Sequence, residues 1–394
     1  MKFLFAWELG ANLGHILRQR LIARELRSRG HTIIFFLKDM EIAHTVLGED
    51  RFEYGTIPHL LIDQRPAGRK ISSYGDILLS KGFGRIDVME PTIAAWIDIF
   101  LAEEPDVVLL DHSPAALFAA RMAGIPTFNI GTGFEIPPKW DRTYPIFRHK
   151  ANKEALKLGE DQIVGILNTI ALMYGRSMFS NLPSCMRADE EALLTFPEFD
   201  HYPDRQDGKY FGPLFDVEHG LDVKWPAGGQ KNVFVYVQYN ESVCNLLDAL
   251  TAIDLNVICY IPGLPDDIKE QYASPNMVLH TTPVRLDALL PTCNLVVSHA
   301  AHGLVSACVY YGVPVLGNPT QMEQYMQAMR LVAVGNGTLI PDFTMRRNLQ
   351  HTLHAVLFVP DYTACALKLG IKYVDHNQQN VVREIADIAE RLGR

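Results

Sequence analysis

Short apolar runs alternate with amphipathic stretches through the first third of the chain. Lys2 to Trp7 predicts a strand, and Ile16 to Arg29 a helix with Leu17, Leu21, Ile22 and Leu26 on one face and arginines on the other, ended by Gly30. Thr32 to Leu37 and Asp106 to Leu110 predict two more strands, Ala115 to Met122 a helix, and Thr127 to Ile130 a further strand. This alternation is that of a parallel sheet wrapped by helices.

Residues 134–212 are less regular, punctuated by Pro137-Pro138, Pro145, Pro183, Pro197 and Pro203. Gly212-Pro213 and Pro226-Ala227-Gly228-Gly229 have the turn chemistry of a linker. The alternation then restarts, with strands expected at Val233 to Tyr239, Leu255 to Ile261, Met277 to His280, Leu295 to Ser298 and Pro314 to Leu316, and a last helix near Gln379 to Leu392. The organisation predicted is an N-terminal Rossmann-like domain over 1–213, a linker over 214–230, a second Rossmann-like domain over 231–376 and a closing helix over 377–394.

The stretch from Asp287 to Arg330 carries the most chemistry. An apolar strand, Asn294 to Ser298, runs into a turn at His299, and a helix opens near His302 and Gly303. Unpaired backbone N–H groups and the positive end of the helix dipole make such a junction an anion site, with His299 beside it as a donor. Gly312 is a left-handed stop, Val313-Pro314-Val315 starts the next strand, and Glu323 and Gln324 open another helix.

At 394 residues the chain exceeds one ordinary core. A hydrophobic fraction of 48% with 21% charged residues is that of a water-soluble globular protein, and a net charge of −9 without a basic patch argues against nucleic acid or an anionic membrane as partner. The 6 cysteines are scattered with no C-x-x-C pair, which fits buried reduced thiols. Glu8, Asn12 and His15 break the apolar opening too early for a signal peptide, and no later stretch is long enough to span a membrane. A cytoplasmic enzyme is the expectation.

The spacing His299, Gly303, Gly312-Val313-Pro314, Pro319, Glu323-Gln324 resembles the donor-site signature of the UDP-glycosyltransferase family, and the approach LDALLPTC followed by an apolar strand and His resembles its bacterial, macrolide-modifying branch. The resemblance implies a GT-B fold: α/β, two Rossmann-like domains with parallel sheets facing across a cleft. It places His299 on the diphosphate, the backbone at Gly303 and Leu304 around the phosphate, Glu323 and Gln324 on the sugar hydroxyls, and the backbone of Val284 on the base edge. Gln238 stands where the facing strand of the family ends in Ser or Thr. Ala300 and Ala301 replace paired glycines, Leu304 a hydroxyl residue, Ala307 the plant carboxylate that holds the ribose, Pro283 a stacking aromatic and Gln327 an Asn.

His15, after the first strand and a short loop ending in Gly14, matches the family's general base, and Asp111, directly after another strand, matches its dyad partner. Both residue types also suit helix caps. Thr132 and Phe134, in Gly131-Thr132-Gly133-Phe134, are expected on the acceptor side, and Trp96, Trp140, Tyr144, Phe147, Met173, Met178 and Phe179 suggest an apolar acceptor. No Asp-x-Asp or His/Cys cluster indicates a metal. The expected protein is an inverting glycosyltransferase that needs no cofactor beyond its co-substrate, a UDP- or dTDP-hexose, and passes the sugar to a small-molecule acceptor. The alternatives are a non-catalytic auxiliary binding protein of the same fold and a nucleotide-sugar epimerase or hydrolase.

Overall fold

The computed structural model describes residues 1–10, 14–58, 71–138, 152–340, 343 and 346–394. They divide into two units. One comprises Met1–Thr195, Tyr202–Leu214 and Asn377–Arg394, the other Phe196–His201 and Phe215–His376.

The first unit is built on six parallel strands: β1 (Lys2–Trp7), β2 (Thr32–Leu37), β3 (Glu53–Thr56), β4 (Val107–Asp111), β5 (Thr127–Gly131) and β6 (Glu190–Leu193), in the order β3-β2-β1-β4-β5-β6. Between them run α1 (Gly14–Ser28), α2 (Met40–Leu47), α3 (Tyr74–Ser80), α4 (Ile86–Glu103), α5 (Pro114–Ala123), α6 (Lys153–Met173) and α7 (Leu182–Cys185). Successive strand residues point to opposite faces. Leu4, Ala6, Val108 and Leu110 therefore join Met89, Ile93 and Trp96 of α4 and Ile163 and Leu167 of α6. Phe3, Phe5, Trp7, Val107 and Leu109 join Ile16, Ile22, Ala23 and Leu26 of α1.

The second unit repeats the plan. Its strands are β7 (Lys231–Tyr236), β8 (Leu255–Tyr260), β9 (Met277–His280), β10 (Leu295–Ser298), β11 (Val315–Gly317) and β12 (Gly337–Leu339), ordered β12-β11-β10-β7-β8-β9. The helices are α8 (Val243–Thr251), α9 (Asp266–Tyr272), α10 (His302–Tyr311), α11 (Met322–Val334), α12 (Arg346–Phe358) and α13 (Pro360–Lys372). Val233, Val235, Leu295 and Val297 pack with Leu246 and Leu250 of α8 and Leu349 and Leu353 of α12. Phe234, Val296 and Val315 pack with Val305 and Cys308 of α10 and Ala328 and Leu331 of α11. Gly312 closes α10 at φ +69°, the left-handed stop read from the sequence.

Two features lie outside the sequence reading. Phe196–His201, within the stretch assigned to the first domain, clusters with the second unit: Phe196 stacks on Tyr373 at 3.7 Å, and the Glu198 carboxylate meets Lys372 and Tyr373. The edge strands β3, β6 and β12 were also not foreseen, because Glu-Tyr-Gly-Thr, Glu-Glu-Ala-Leu and Gly-Thr-Leu are too short and polar to stand out, as edge strands commonly are.

The last helix, α14 (Gln378–Leu392), belongs to the first unit. Val382, Ile385, Ala386 and Ala389 complete the apolar layer that α1 begins, while Arg29 pairs with Asp387 at 2.6 Å and His31 with Glu390 at 2.8 Å along its border. The border ion pairs contribute little and the buried stripe most of the docking energy. Ile385→Ala should therefore destabilise the first unit by about 2–4 kcal/mol in chemical denaturation, and a change under about 0.5 kcal/mol would show that α14 docks without bearing on the core.

Candidate functional site

In a sheet ordered as β3-β2-β1-β4-β5-β6, the connections from β1 and β4 leave in opposite directions, and the crevice opened beyond their carboxyl ends is where open α/β sheets bind ligands. Trp7, the last residue of β1, lies in register with Asp111, the last of β4. Asp111 is fully buried, and His15, the second residue of α1, places Nδ1 at 2.7 Å from Asp111 Oδ1. The other face of the imidazole is fixed too, because the Trp7 indole stacks on it at 5.3 Å and 20°. Gly10, at φ +87°, comes so close that a Cβ there would lie 2.3 Å from His15 Nε2. Glycine at 10 thus serves both the left-handed backbone and the approach to Nε2.

Arg18, one turn after His15, completes the group. Its guanidinium donates to Asp111 Oδ2 at 2.7 and 3.2 Å and to Glu135 Oε1 at 3.1 Å, and lies 3.2 Å from His15 Nδ1. Glu135 also accepts from Thr132 N at 2.9 Å and Thr132 Oγ1 at 2.8 Å. Burial acts to raise the Glu135 pKa, but the charge of Arg18, with His15, His112 and the Thr132 N–H, outweighs it and holds the carboxyl far below the usual range. One ligand atom each of His15, Asp111 and Glu135 falls within 4.8 Å of the others, a spacing a metal could use. The guanidinium of Arg18, bonded to both carboxylates, already supplies the cation there.

Sequence reasoning missed Arg18 and Glu135. It put the arginines of α1 on the solvent face, whereas Arg18 is buried with Ile16, Gln19, Ile22, Ala23 and Leu26, and Leu17 and Leu21 lie half-buried. The available signal was its spacing, three residues after His15 on the same helical face. Glu8, which follows β1, is likewise swallowed, its carboxylate accepting from Trp96 Nε1 at 2.6 Å and from Ala115 N and Ala116 N at the start of α5. Burial outweighs those bonds and pushes its pKa up to about 7. Trp96 is core rather than acceptor wall, and Met173 and Met178 are exposed. Phe179 packs partly buried against the core cluster of α4 and α6, and Trp140, Tyr144 and Phe147 lie outside the described residues.

Thr132 is buried as the partner of Glu135, and Phe134 sets its ring edge-on to His112 at 6.2 Å. Gly14 is exposed, with no atom within 4 Å of where a Cβ would stand.

The second sheet has its switch point between β7 and β10, and His299 bridges it. Its Nε2 accepts from Gln238 N at 2.7 Å and its Nδ1–H donates to Asn318 O at 2.8 Å. A carbonyl only accepts and an amide N–H only donates, so the ring is the neutral Nδ1–H tautomer with both nitrogens committed. Burial lowers its pKa in the same sense, offset in part by the Asn318 bond. This corrects the expectation of a free donor at 299: the ring clasps the loops after β7, β10 and β11 together. The Gln238 side chain itself is exposed.

The start of α10 carries no side-chain cap. Ala301 is its N-cap, and Val305 N is the first amide bonded back, to Ala301 O. The N–H groups of His302, Gly303 and Leu304 precede it. A Cβ at Gly303 would meet no protein atom within 4 Å, so the space above the helix start is left open. Leu304 turns partly into the apolar layer. Leu221 pairs with Pro283 O and Arg285 N, which directs the N–H and C=O of Val284 to the opposite side. Glu323 lies 3.4 Å from His201 Nε2. Gln324 is buried, and its Oε1 accepts from Thr320 N, Thr320 Oγ1 and Gln321 N, closing a capping box at the start of α11. Its oxygen is therefore committed, and only its amide N–H groups remain for a ligand.

Residues 244–389 match the family described as erythromycin biosynthesis protein CIII-like, C-terminal domain. L-demethylnoviosyl transferase of Streptomyces niveus is 32% identical over 107 residues, 25% of this chain and 25% of that protein, so the match spans about a quarter of the relative's length. Among solved structures, glycosyltransferase VinC in complex with dTDP superposes with a TM-score of 0.71 at 18% identity, over 99% of this chain and 100% of that one. The calicheamicin glycosyltransferase CalG4 gives 0.73 at 15% identity over 99% and 98%. The spinosyn rhamnosyltransferase SpnG, complexed with spinosyn aglycone, gives 0.71 at 15% over 98% and 100%. Among the described residues no helix is long and apolar enough to cross a membrane. Its two parallel six-stranded sheets thus have the GT-B fold of these glycosyltransferase structures, and within it residues 244–389 match the erythromycin biosynthesis protein CIII-like C-terminal domain.

Proposed function

We propose that this chain moves a hexose from a UDP- or dTDP-linked donor to a hydroxyl of a small, largely apolar acceptor, inverting the anomeric carbon. The observation that carries this reading is the 2.7 Å contact between His15 Nδ1 and Asp111 Oδ1 at the switch point of the first sheet. Asp111 holds the proton on Nδ1 and so leaves Nε2 as the nitrogen that accepts one. In a single displacement, Nε2 takes the acceptor's proton, the acceptor oxygen bonds to the anomeric carbon, and the bonding pair of the glycosidic C–O bond departs with the diphosphate. Asp111 stabilises the imidazolium that results, and Arg18 pairs with Asp111 and keeps Glu135 ionised beside it.

On the donor side, the amides at the start of α10, with Gly303 and Leu304, receive the diphosphate, and Val284 offers its backbone to the base. His299 supports this site by holding Gln238 and Asn318 in place. Glu323 and the amide of Gln324 address the sugar hydroxyls. VinC in complex with dTDP and SpnG with thymidine diphosphate support the donor class, and SpnG with its aglycone the acceptor class. Incubation with donor alone separates transfer from an epimerase or hydrolase, which consumes donor without acceptor.

His15→Ala should lower turnover by about 10²–10⁴-fold with nucleoside diphosphate affinity nearly intact, and near-normal turnover on a hydroxyl acceptor would remove His15 from the role of base. Asp111→Asn should cost as much or less, since it acts through His15. Arg18→Met leaves two buried carboxylates without their cation and should destabilise the protein by about 3–5 kcal/mol in denaturant titration, with a loss under about 1 kcal/mol contradicting the charge arrangement. With Ala307 in place of a ribose-gripping carboxylate, dTDP should bind at least as well as UDP. At about 100 times its Kd, dTDP should raise the midpoint of the unit it binds by about 5–10 °C, and strong stabilisation by UDP with none by dTDP would overturn that preference.

A further inference from the structure

His112 follows Asp111 and has no part in the chemistry above, yet its backbone and its ring are both held in unfavourable states. Its φ of +47° is left-handed, and its carbonyl is tied to Leu9 N at 3.0 Å, so the fold forces the conformation. The ring is buried among Tyr74 (centroids 6.0 Å apart, stacked), Phe134 (6.2 Å, edge-on) and His15 (6.4 Å, tilted). Its Nε2 is out of contact with solvent and has no hydrogen-bond partner. Tyr74, which stacks on the ring, and Ser113, the next residue, line a small cavity together with Asn129 and Glu135.

A buried nitrogen without a partner is costly, and buried polar groups in folded proteins are nearly always satisfied. Phenylalanine or leucine would fill the same aromatic wall without that cost. Burial also lowers the His112 pKa to about 4, so the ring is a neutral imidazole that can donate from one nitrogen and accept at the other. Such a group is suited to an uncharged oxygen and not to an anion.

We propose that His112 is a specificity-determining residue of the acceptor site, whose Nε2 hydrogen-bonds a second oxygen of the acceptor while His15 engages the hydroxyl that reacts. This rests on the reading of His15 as the base. With the two rings 6.4 Å apart and each hydrogen bond spanning about 3 Å, oxygens on adjacent or next-but-one carbons can engage both. The acceptor class is therefore an apolar scaffold with neighbouring oxygens: a vicinal or 1,3-diol, a hydroxyketone or an ortho-dihydroxyaryl group. An acceptor with a lone hydroxyl leaves Nε2 unpaired and forfeits the discrimination a paired polar group gives.

The test uses naphthalene-2,3-diol and 2-naphthol as probes, titrated by fluorescence against the full-length protein without donor. The wild type should bind the diol about tenfold more tightly. His112→Phe keeps the ring and deletes its nitrogens, and His112→Gly accepts the left-handed backbone should the first variant fold poorly. In either, the diol-to-naphthol ratio should fall to within about twofold, and with a sugar donor present the loss should appear in the KM for the diol. A preference that survives both substitutions, or a wild type that binds the two probes equally or neither, overturns the assignment. If the preference follows residue 112 but no donor yields a glycoside, recognition stands and transfer fails; if glycoside forms with no dependence on residue 112, the reverse holds.

Discussion

A carboxylate with no access to water must be paired, and the first unit is arranged around one that is. Asp111 ends β4 in the middle of the sheet, and its two oxygens are divided between His15 and Arg18, both on α1. Arg18 reaches on to Glu135, beyond the end of β5, so one guanidinium joins the segments that follow β1, β4 and β5. Removing Arg18 leaves two buried carboxylates uncompensated, which costs more than the intact network contributes. The same constraint orients His15: its Nδ1 is bound, its face is stacked on Trp7, and Nε2 is the nitrogen left toward Gly10.

The second unit solves the same topological problem without charge. Its switch point is spanned by a neutral imidazole whose two nitrogens join Gln238 N and Asn318 O. At one switch point, then, a charged pair leaves a histidine nitrogen for chemistry. At the other, a histidine is spent on structure and the helix behind it starts without a side-chain cap. That division suits a reaction needing a base for one substrate and a fixed positive potential for the other.

Much of this was legible from order and spacing. The alternation of strand and helix named the fold class because a buried parallel strand has few alternatives at that length. His15 and Asp111 were legible as a pair because one comes after the loop that leaves β1 and the other ends β4, and strands in one parallel sheet end on one side. Arg18 was not, because amphipathic periodicity treats every arginine as solvent-facing until a buried carboxylate is known to lie opposite. His299 was visible as a residue but not as a clasp, since its partners are main-chain atoms at positions 238 and 318 and main-chain groups leave no mark in sequence. The capping role of Gln324 was hidden for a related reason: its oxygen is taken by Thr320 N, Thr320 Oγ1 and Gln321 N, two of them main-chain groups.

The alanines at 300 and 301 show how far a signature can drift while its physics persists. Ala300 holds φ +60°, the conformation glycine takes freely, and alanine there carries a strain of about 1 kcal/mol. The strain is absorbed because Ala300 is fully buried and its N–H is bonded to Ser298 Oγ at 3.1 Å. The backbone therefore follows the path a glycine would set, and α10 starts without a side-chain cap, with open space at Gly303. Phosphate recognition that depends on main-chain N–H groups survives such changes. Recognition of the nucleoside, which in the resembled family depends on the side chains where Pro283 and Ala307 stand, does not. On the function proposed above, an anion site made of main-chain N–H groups and a nucleoside site made of side chains can diverge separately, so that the leaving-group chemistry is kept while the nucleotide that carries the sugar changes.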